Sequence, residues 1–172
     1  MLVGFIYIEV KMKVHIDVFG RDDIVDEHRY IFAEMLKKQG KVRGDLTQKT
    51  DRCCFISIAK INDKTIAIGA IKQKTASDFH PNKANLENLS SQFSWELGYI
   101  YTDPEYRGKG LAKKIVTSLL SAYGDDNLMA STELEKNPGM VSILKEHGFI
   151  VHGKSWPSSI HGNALGLFLR FK

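Results

Sequence analysis

A glycine-containing turn between a strand and a helix is the feature that most constrains how this chain can fold. It lies in the segment WELGYIYTDPEYRGKGLA, which runs from Trp95 to Ala112. Apolar and aromatic residues predict a strand over Phe93–Thr102, and Asp103-Pro104 ends it. Apolar residues at helical spacing predict a helix over Gly110–Tyr123. A strand therefore passes into a helix through a short basic turn.

The turn has the local chemistry of a phosphate-binding site. The first turn of a helix presents N–H groups without intrahelical partners and the positive end of the helix dipole. Gly108 and Gly110 allow an anion to approach that backbone closely. Four cationic side chains lie in or beside the turn: Arg107, Lys109, Lys113 and Lys114. The sequence predicts a pyrophosphate cradle, and a solvated helix face is the alternative explanation of the three lysines.

Two widespread phosphate-binding loops do not match this turn. A Walker loop needs Ser or Thr after its Gly-Lys pair, whereas Gly110 follows Gly108-Lys109 here. The G-x-G-x-x-G fingerprint of dinucleotide-binding proteins needs a glycine where Lys113 stands. The sequence therefore favours a phosphate ligand held in some other way.

The rest of the chain predicts a strand, a helix and two strands before this segment, and a strand, a helix and two strands after it. The predicted strands are Val14–Phe19, Cys53–Ala59, Thr65–Ile71, Leu128–Thr132, Phe149–Lys154 and Asn163–Phe171. The first helix has Asp23 as its predicted N-cap and Gly40 as its stop. The last helix has Asn137 as its N-cap and Gly148 as its stop. Residues 75–91 are predicted as a loop with at most one short helical turn.

The basic turn resembles a known motif. Arg107-x-x-Gly110-x-Ala112 resembles the R/Q-x-x-G-x-G/A motif of the GCN5-related N-acetyltransferase (GNAT) superfamily. A second segment, which runs from Asn137 to Gly148-Phe149, is similar to the helix that opens on Asn and closes on Gly-Phe in that superfamily. The order of the other elements also fits, so the resemblance covers nearly the whole chain.

This resemblance implies a fold and a co-substrate. The implied fold class is α/β (α+β), with a mixed, mostly antiparallel sheet flanked by helices and two splayed strands that admit acetyl-CoA. Backbone groups of Ile100, Tyr101 and Thr102 would pair with the pantetheine arm, and the side-chain amide of Asn137 would contact the cofactor. The backbone N–H groups that would hold the pyrophosphate belong to Arg107, Gly108, Lys109, Gly110, Leu111 and Ala112.

The implied activity is transfer of an acetyl group from CoA to a primary amine by direct attack. Glu96 is the predicted general base, acting directly or through water. The alternatives for Glu96 are an exposed strand carboxylate and an anchor for the substrate ammonium group. A backbone N–H near Ile100 is the predicted oxyanion donor. Leu144 stands where many family members have a tyrosine acid, and Tyr101 and Tyr123 are either substitutes for that acid or core residues.

Leu144 also motivates a second function from another class, a non-catalytic acyl-CoA-binding or sensor module on the same fold. The sequence leaves the acceptor open, because an amine on a small molecule and an amine on a protein are both compatible with it. The sequence also leaves the oligomeric state open, and a homodimer is one candidate, since the final strands of this fold often pair across dimers.

Composition narrows the partners. A length of 172 residues predicts one domain over residues 1–172. The net charge of +4 comes without a basic stripe interleaved with aromatic residues, so nucleic acid is not a predicted partner. Leu2–Ile8 is apolar but far shorter than the roughly 20 residues of a membrane helix, so no membrane partner is predicted. Residues 1–11 are predicted as a leader or an extra strand.

The cysteines and histidines predict no metal site. Cys53 and Cys54 would point to opposite faces of a strand, so a mutual disulfide is not expected and a reducing, cytoplasmic compartment is. No His, Cys and Asp residues have the spacing of metal ligands. His147 suits the negative end of a helix, whereas His152 and His161 flank the last loop and are candidates to line an acceptor site.

Overall fold

The structure, a computed structural model, describes residues 13–172. The strands are β1 (His15–Gly20), β2 (Cys53–Ile61), β3 (Lys64–Gln73), β4 (Trp95–Thr102), β5 (Leu128–Glu133), β6 (Ile150–Pro157) and β7 (Ala164–Arg170). The helices are α1 (Asp26–Gln39), α2 (Glu87–Ser90), α3 (Leu111–Tyr123) and α4 (Pro138–Glu146). The predicted leader or extra strand at residues 1–11 lies outside the described residues.

The strands form one mixed sheet with the order β1-β2-β3-β4-β5-β7-β6. Every neighbouring pair is antiparallel except β4 and β5, which are parallel. Within the described residues these two strands pair only at Glu96 and Met129, and beyond that point they diverge. The mixed, mostly antiparallel sheet with one splayed strand pair is confirmed.

A bulge in β4 bends that strand away from β5. Ile68 pairs with Tyr101 and Ala70 with Gly98, so two residues of β4 lie opposite Gly69 alone. Tyr99, one of the two, has a φ of 56°, in the left-handed region that a residue with a side chain seldom adopts. An extra residue in one strand interrupts the ladder and turns the strand. The bulge thus accounts for the gap that opens beside β5.

Gly69 lets α3 pack directly onto this bulge. A Cβ at Gly69 would lie 2.5 Å from Ile115 Cγ2 and 2.6 Å from Ile100 Cδ1. Both atoms belong to the core that α3 and α4 build on one face of the sheet. Phe32, Met35 and Leu36 of α1 build the core on the other face.

We expect Gly69→Ala to lower the free energy of unfolding by about 1–3 kcal/mol, because an added methyl in a packed core forces neighbours to shift. Gly139→Ala is the control, since its Cβ would meet no heavy atom within 4 Å. Gly139 lies in α4, so alanine there should stabilise the helix by about 0.5–1 kcal/mol. Urea denaturation measures both values, and equal stability of the two variants would contradict the packing argument.

Local signals place most helix ends correctly. Asn137 Oδ1 accepts a hydrogen bond from the Met140 N–H, as expected of an N-cap, and Gly40 and Gly148 end their helices with positive φ. The N-cap prediction for Asp23 is wrong, because α1 begins at Asp26 and residues 21–23 form a separate 3-10 turn. Ile24 explains the interruption, since its extended backbone carries a buried side chain into the core.

Candidate active site

Two adjoining cavities open where β4 and β5 diverge. One, of about 280 Å³, is lined by Glu96 and by Lys72 of β3, and is called the Glu96 cavity. The other, of about 400 Å³, is lined by Arg107, Ala112 and the end of β4, and is called the Arg107 channel. The residues lining both are Gln39, Lys41, Ile100, Asn137 and Met140. The two cavities therefore form one site with two ends.

The predicted phosphate turn lies at the Arg107 channel. Asp103 caps a 3-10 turn over Pro104–Tyr106 by accepting a hydrogen bond from the Glu105 N–H, 3.1 Å away. Gly108 and Gly110 follow with φ of 74° and 73°, and a Cβ at either would meet no heavy atom within 4 Å. The backbone at the start of α3 is thus bare and open, as an anion-binding helix N-terminus requires.

Three of the four predicted cations already have partners within the chain. Arg107 Nε donates to the Thr102 carbonyl, and Lys109 Nζ lies 5.3 Å from the centre of the Tyr106 ring. Lys113 forms an ion pair with Glu146, and that contact lowers the pKa of the Glu146 carboxyl. Lys113 is therefore partly neutralised within the chain. Lys136 also lines the channel, although its sequence position gave no signal.

Asn137 lines both cavities, but its amide already has partners. Oδ1 caps α4, and Nδ2 donates to Thr132 Oγ1 at 3.4 Å. One N–H of the amide has no such partner among residues 13–172, so the contact with the cofactor stays a prediction.

Two buried polar atoms at the channel lack a hydrogen-bond partner among the described residues. They are Thr102 Oγ1 and Gln39 Oε1. Buried polar atoms are normally paired, so unpaired ones beside a cavity indicate a ligand that pairs with them.

The end of α1 spans the gap between the two splayed strands. Gln39 Nε2 donates to the Ile100 carbonyl of β4 at 3.1 Å, and Lys41 Nζ donates to Glu133 Oε1 of β5 at 2.7 Å. Residues 39–41 are called the α1 strap. A ligand that pairs with the Ile100 carbonyl would share that oxygen with Gln39 or replace it.

Glu96 lies at the inner end of the Glu96 cavity and is only 6% exposed, so the alternative of an exposed strand carboxylate is wrong. Its Oε2 accepts hydrogen bonds from Lys72 Nζ at 2.6 Å and from the Thr75 N–H at 2.8 Å. Among the described residues no hydrogen bond reaches Oε1. Glu96 thus has one fixed oxygen and one oxygen available to a ligand.

Leu144 and three tyrosines of residues 13–172 bear on which group acts as the acid. Leu144 is buried and lines the Glu96 cavity. The Tyr123 hydroxyl donates to the Asn127 carbonyl and Tyr123 lines neither cavity, while Tyr101 lines the channel with a largely buried ring. Tyr99, which the sequence did not single out, lines the Glu96 cavity, and burial raises its pKa to about 12. At neutral pH Tyr99 is therefore protonated and has a hydroxyl proton to donate.

Glu133 is a second carboxylate of the site that sequence reasoning missed. Its Oε1 contacts Lys41 Nζ and His161 Nε2, the latter at 3.0 Å, and its Oε2 accepts from Asn163 Nδ2 at 3.2 Å. The hydrogen bond from Lys41 is the main cause that holds the pKa of Glu133 below its usual range. The sequence signal that could have indicated Glu133 is its position at the end of β5, the strand that diverges from β4. Glu133 joins the α1 strap to the loop between β6 and β7.

One of the three histidines considered lines the Glu96 cavity, and the other two make hydrogen bonds to nearby backbone. His161 lines the Glu96 cavity, as predicted for an acceptor site. His152 does not, and its Nδ1 donates to the Ile150 carbonyl at 2.7 Å. His147 ends α4 with its Nδ1 donating to the Ile143 carbonyl at 2.8 Å, as its helix-end position predicts.

The cysteines are free thiols that pack on opposite faces of the sheet, as expected. Burial raises the pKa of Cys53 to about 12, so it stays protonated near neutral pH. Among residues 13–172, no group of three His, Cys, Asp or Glu side chains could hold a metal ion. Nor does this part of the chain contain a helix with the length and apolar character to span a membrane.

Solved structures share this fold. A ribosomal-protein-S18-alanine N-acetyltransferase from Escherichia coli superposes with a TM-score of 0.62 at 11% identity, covering 91% of this chain and 93% of that chain. NAA60 from Arabidopsis thaliana, solved with a bisubstrate analogue, superposes with a TM-score of 0.63 at 12% identity, and the match covers 91% of this chain and 98% of that chain. A chain of the NatC complex bound to Gag peptide and CoA superposes with a TM-score of 0.65 at 18% identity, and the match covers 94% of this chain and 100% of that chain. At such identities the likeness shows the fold alone.

Sequence comparison identifies the family. Comparison with curated protein sequences gives no match. The model of the Acetyltransferase (GNAT) family matches residues 19–149, which include the phosphate turn, both splayed strands and the Asn137 helix. The chain therefore belongs to the GNAT family of acetyltransferases.

Proposed function

We propose that this protein is an acetyl-CoA-dependent N-acetyltransferase, carried by a single domain over residues 1–172. The observation that carries the proposal is one continuous site with an anion-binding helix N-terminus at one end and a buried, half-free carboxylate, Glu96, at the other. The acceptor is a primary amine on a small molecule or a protein. A cytoplasmic location and a homodimer are part of the proposal, the former supported by two free cysteines.

The residues of the Arg107 channel fit acetyl-CoA, which supplies an acetyl group activated as a thioester. The N–H groups of residues 107–112 would hold its pyrophosphate, because the two left-handed glycines leave that backbone open. Backbone groups of Ile100, Tyr101 and Thr102 would pair with pantetheine along the edge of β4 that β5 leaves free. Thr102 Oγ1, Gln39 Oε1 and the free N–H of Asn137 are available for further hydrogen bonds.

Glu96 would act on the acceptor. An ammonium group must lose a proton before its nitrogen can attack, and Glu96 Oε1 can receive that proton directly or through water. The nitrogen then forms a bond to the carbonyl carbon as the C–S bond breaks. A second proton leaves the nitrogen and passes through water to the departing sulfur, which gives the amide and CoA thiol. Because the acceptor attacks the thioester directly, no acyl-enzyme forms. An N–H of the bulged segment near Ile100 is the proposed oxyanion donor.

A panel of amines tests this proposal. We expect CoA thiol release above the hydrolysis background with at least one class among peptides with free N-termini, lysine peptides, amino acids, polyamines and aminoglycosides. Mass spectrometry of the quenched enzyme should show no acetyl adduct on the protein during turnover.

The second candidate is a non-catalytic acyl-CoA-binding module, and Leu144 at the cavity favours it. Calorimetry separates the two functions. Tight binding of acetyl-CoA without thiol release over the whole panel would support the sensor and refute the enzyme.

Thr102 allows a separate test of the channel. We expect Thr102→Val to raise the free energy of unfolding of the ligand-free protein by about 1 kcal/mol, because it removes a buried hydroxyl that has no partner. The same change should weaken CoA binding by about 3- to 10-fold if that hydroxyl serves the cofactor. Thermal melting and calorimetry report the two effects. Stabilisation with unaltered CoA affinity would show that the Thr102 hydroxyl does not bind the cofactor.

A further inference from the structure

The floor of the Glu96 cavity contains a buried ion pair. Lys72 of β3 is directly opposite Glu96 in the register of β3 and β4, and the two side chains are 10% and 7% exposed. Lys72 Nζ contacts Glu96 Oε2 at 2.6 Å and Thr75 Oγ1 at 3.2 Å, and it lies 5.4 Å from the centre of the Tyr99 ring. Lysine is seldom this buried, so its presence at the inner end of the site calls for a reason.

A carboxylate alone would be a poor partner for an acceptor amine. A negative charge within a few ångströms favours the protonated form of an amine, and a protonated nitrogen cannot attack. The effect grows in a cavity that excludes water. Glu96 without a counter-charge would therefore bind the acceptor well but hold it in its unreactive form.

We propose that Lys72 is a positioning residue that fixes Oε2 of Glu96 and cancels its charge, so that an acceptor at Oε1 gives up its proton near neutral pH. This inference rests on the proposed function. The hydrogen bonds from Lys72 and Thr75 both go to Oε2, so that Oε1 is left to pair with a ligand in the cavity that Glu96 lines. The acceptor nitrogen then lies near a carboxylate and an ammonium group whose charges sum to zero.

The other charged groups around this pair do not supply a competing field. From the turn after β3, Asp78 contributes a buried carboxylate, and it is bonded to Lys83 Nζ at 3.0 Å. Burial is the main cause that raises the pKa of Asp78, and the charge of Glu96 adds to it. Cys53 of β2 and Tyr99 of β4 are neutral because burial raises the pKa of each to about 12. The remaining charged or titratable groups are Arg21 and Arg52, whose charges act on Cys53 or Tyr99, and Lys41, Glu133 and His161, which line the cavity.

The charge balance also indicates an acceptor class. Glu96 is neutralised by Lys72 and Glu133 by Lys41, so each carboxylate lining the cavity already has a lysine. Within the described residues the cavity has no spare carboxylate for a second ammonium group. Acceptors with one amine near the reacting centre, such as peptide N-termini, should therefore be used better than polyamines.

The experiment compares the pH profile of kcat for wild type, Lys72→Met and Lys72→Arg with a saturating concentration of the best acceptor of the panel, from about pH 6 to about pH 10, because kcat reports protonation in the bound complex. We expect Lys72→Met to move the acidic limb of the pH–rate profile up by about one pH unit. Turnover should therefore fall about tenfold near pH 7 and return to the wild-type rate at alkaline pH. Lys72→Arg should keep the limb in place. Turnover lowered equally at every pH would overturn the inference while leaving the proposed function intact.

Lys83→Met is the control, because it removes the lysine partner of another buried carboxylate, Asp78, and neither residue lines the cavity. It should cost stability as Lys72→Met does but leave the limb unmoved. If Lys72→Met does not fold, Lys72→Gln keeps a hydrogen-bond donor to Glu96 Oε2 without the positive charge, and its acidic limb should also move up by about one pH unit.

A binding measurement covers the case in which no amine turns over and the proposed function fails. Calorimetry with butylamine and CoA near pH 7 should show the Lys72→Met protein binding the cation about tenfold more tightly than wild type. Equal affinity would overturn the charge-balancing role independently of turnover.

Discussion

Replacing Gly110 by aspartate should abolish acetyl-CoA binding, with a loss of affinity of about 100-fold or more, equivalent to about 2.8 kcal/mol. Gly110 has a φ of 73° and faces open space at the start of α3. Aspartate would place a Cβ and a negative charge where the helix N-terminus would receive a phosphate, so both shape and charge act against binding. Calorimetry with acetyl-CoA measures the effect.

Two control variants separate charge from backbone strain. Gly110→Ala keeps the strain of a left-handed residue, about 1–2 kcal/mol, without the charge, and should bind with intermediate affinity. Gly148→Asp introduces a similar strain at the end of α4, outside both cavities, and should bind acetyl-CoA normally. If Gly110→Asp binds as wild type does, the phosphate turn is not the cofactor site.

Glu96→Gln should lower kcat by about 100-fold or more, in the range for loss of a positioned general base. Acetyl-CoA affinity should change little, because Glu96 does not line the Arg107 channel. The amide can still accept the hydrogen bond from Lys72, but it cannot take up a proton. Steady-state kinetics across pH, with thermal melting alongside, measures the effect.

Asp78→Asn is the matched control for this variant. Asp78 is also a buried carboxylate with a lysine partner, and it does not line the Glu96 cavity. Glu96→Gln leaves the buried Lys72 without its carboxylate and should lose about 3–5 kcal/mol of stability at most, whereas Lys83 is 29% exposed and Asp78→Asn should lose less. Wild-type kcat in Glu96→Gln would assign Glu96 to anchoring or structure instead of proton transfer.

Local sequence signals predicted the ends of this site but not its middle. Gly108, Gly110 and Asn137 could be recognised because a turn or a cap depends on a few adjacent residues. Lys72 and Glu133 could not. Lys72 meets Glu96 through strand register, 24 positions away, and Lys41 meets Glu133 across 92 positions. A single sequence contains no record of which distant polar residues pair.

The one misplaced cap has the same cause. Asp23 has the side chain of a good N-cap, yet burial of Ile24 sets where the chain turns into α1. Tertiary packing overrides a local preference of about 1 kcal/mol.

The α1 strap has a consequence for how the two halves of the sheet communicate. Beyond Met129 no backbone pairing joins β4 to β5 in the described residues, so the hydrogen bonds of the α1 strap connect the two strands across the gap. Pantetheine pairing at Ile100 would compete with Gln39 for that carbonyl, while Lys41 would stay paired with Glu133, next to the loop between β6 and β7. Occupancy of one end of the site would then alter the free energy of filling the other, and such a linkage is reciprocal. Acceptor affinity should differ between the free and CoA-bound protein, and CoA affinity should change by the same factor when the acceptor is present.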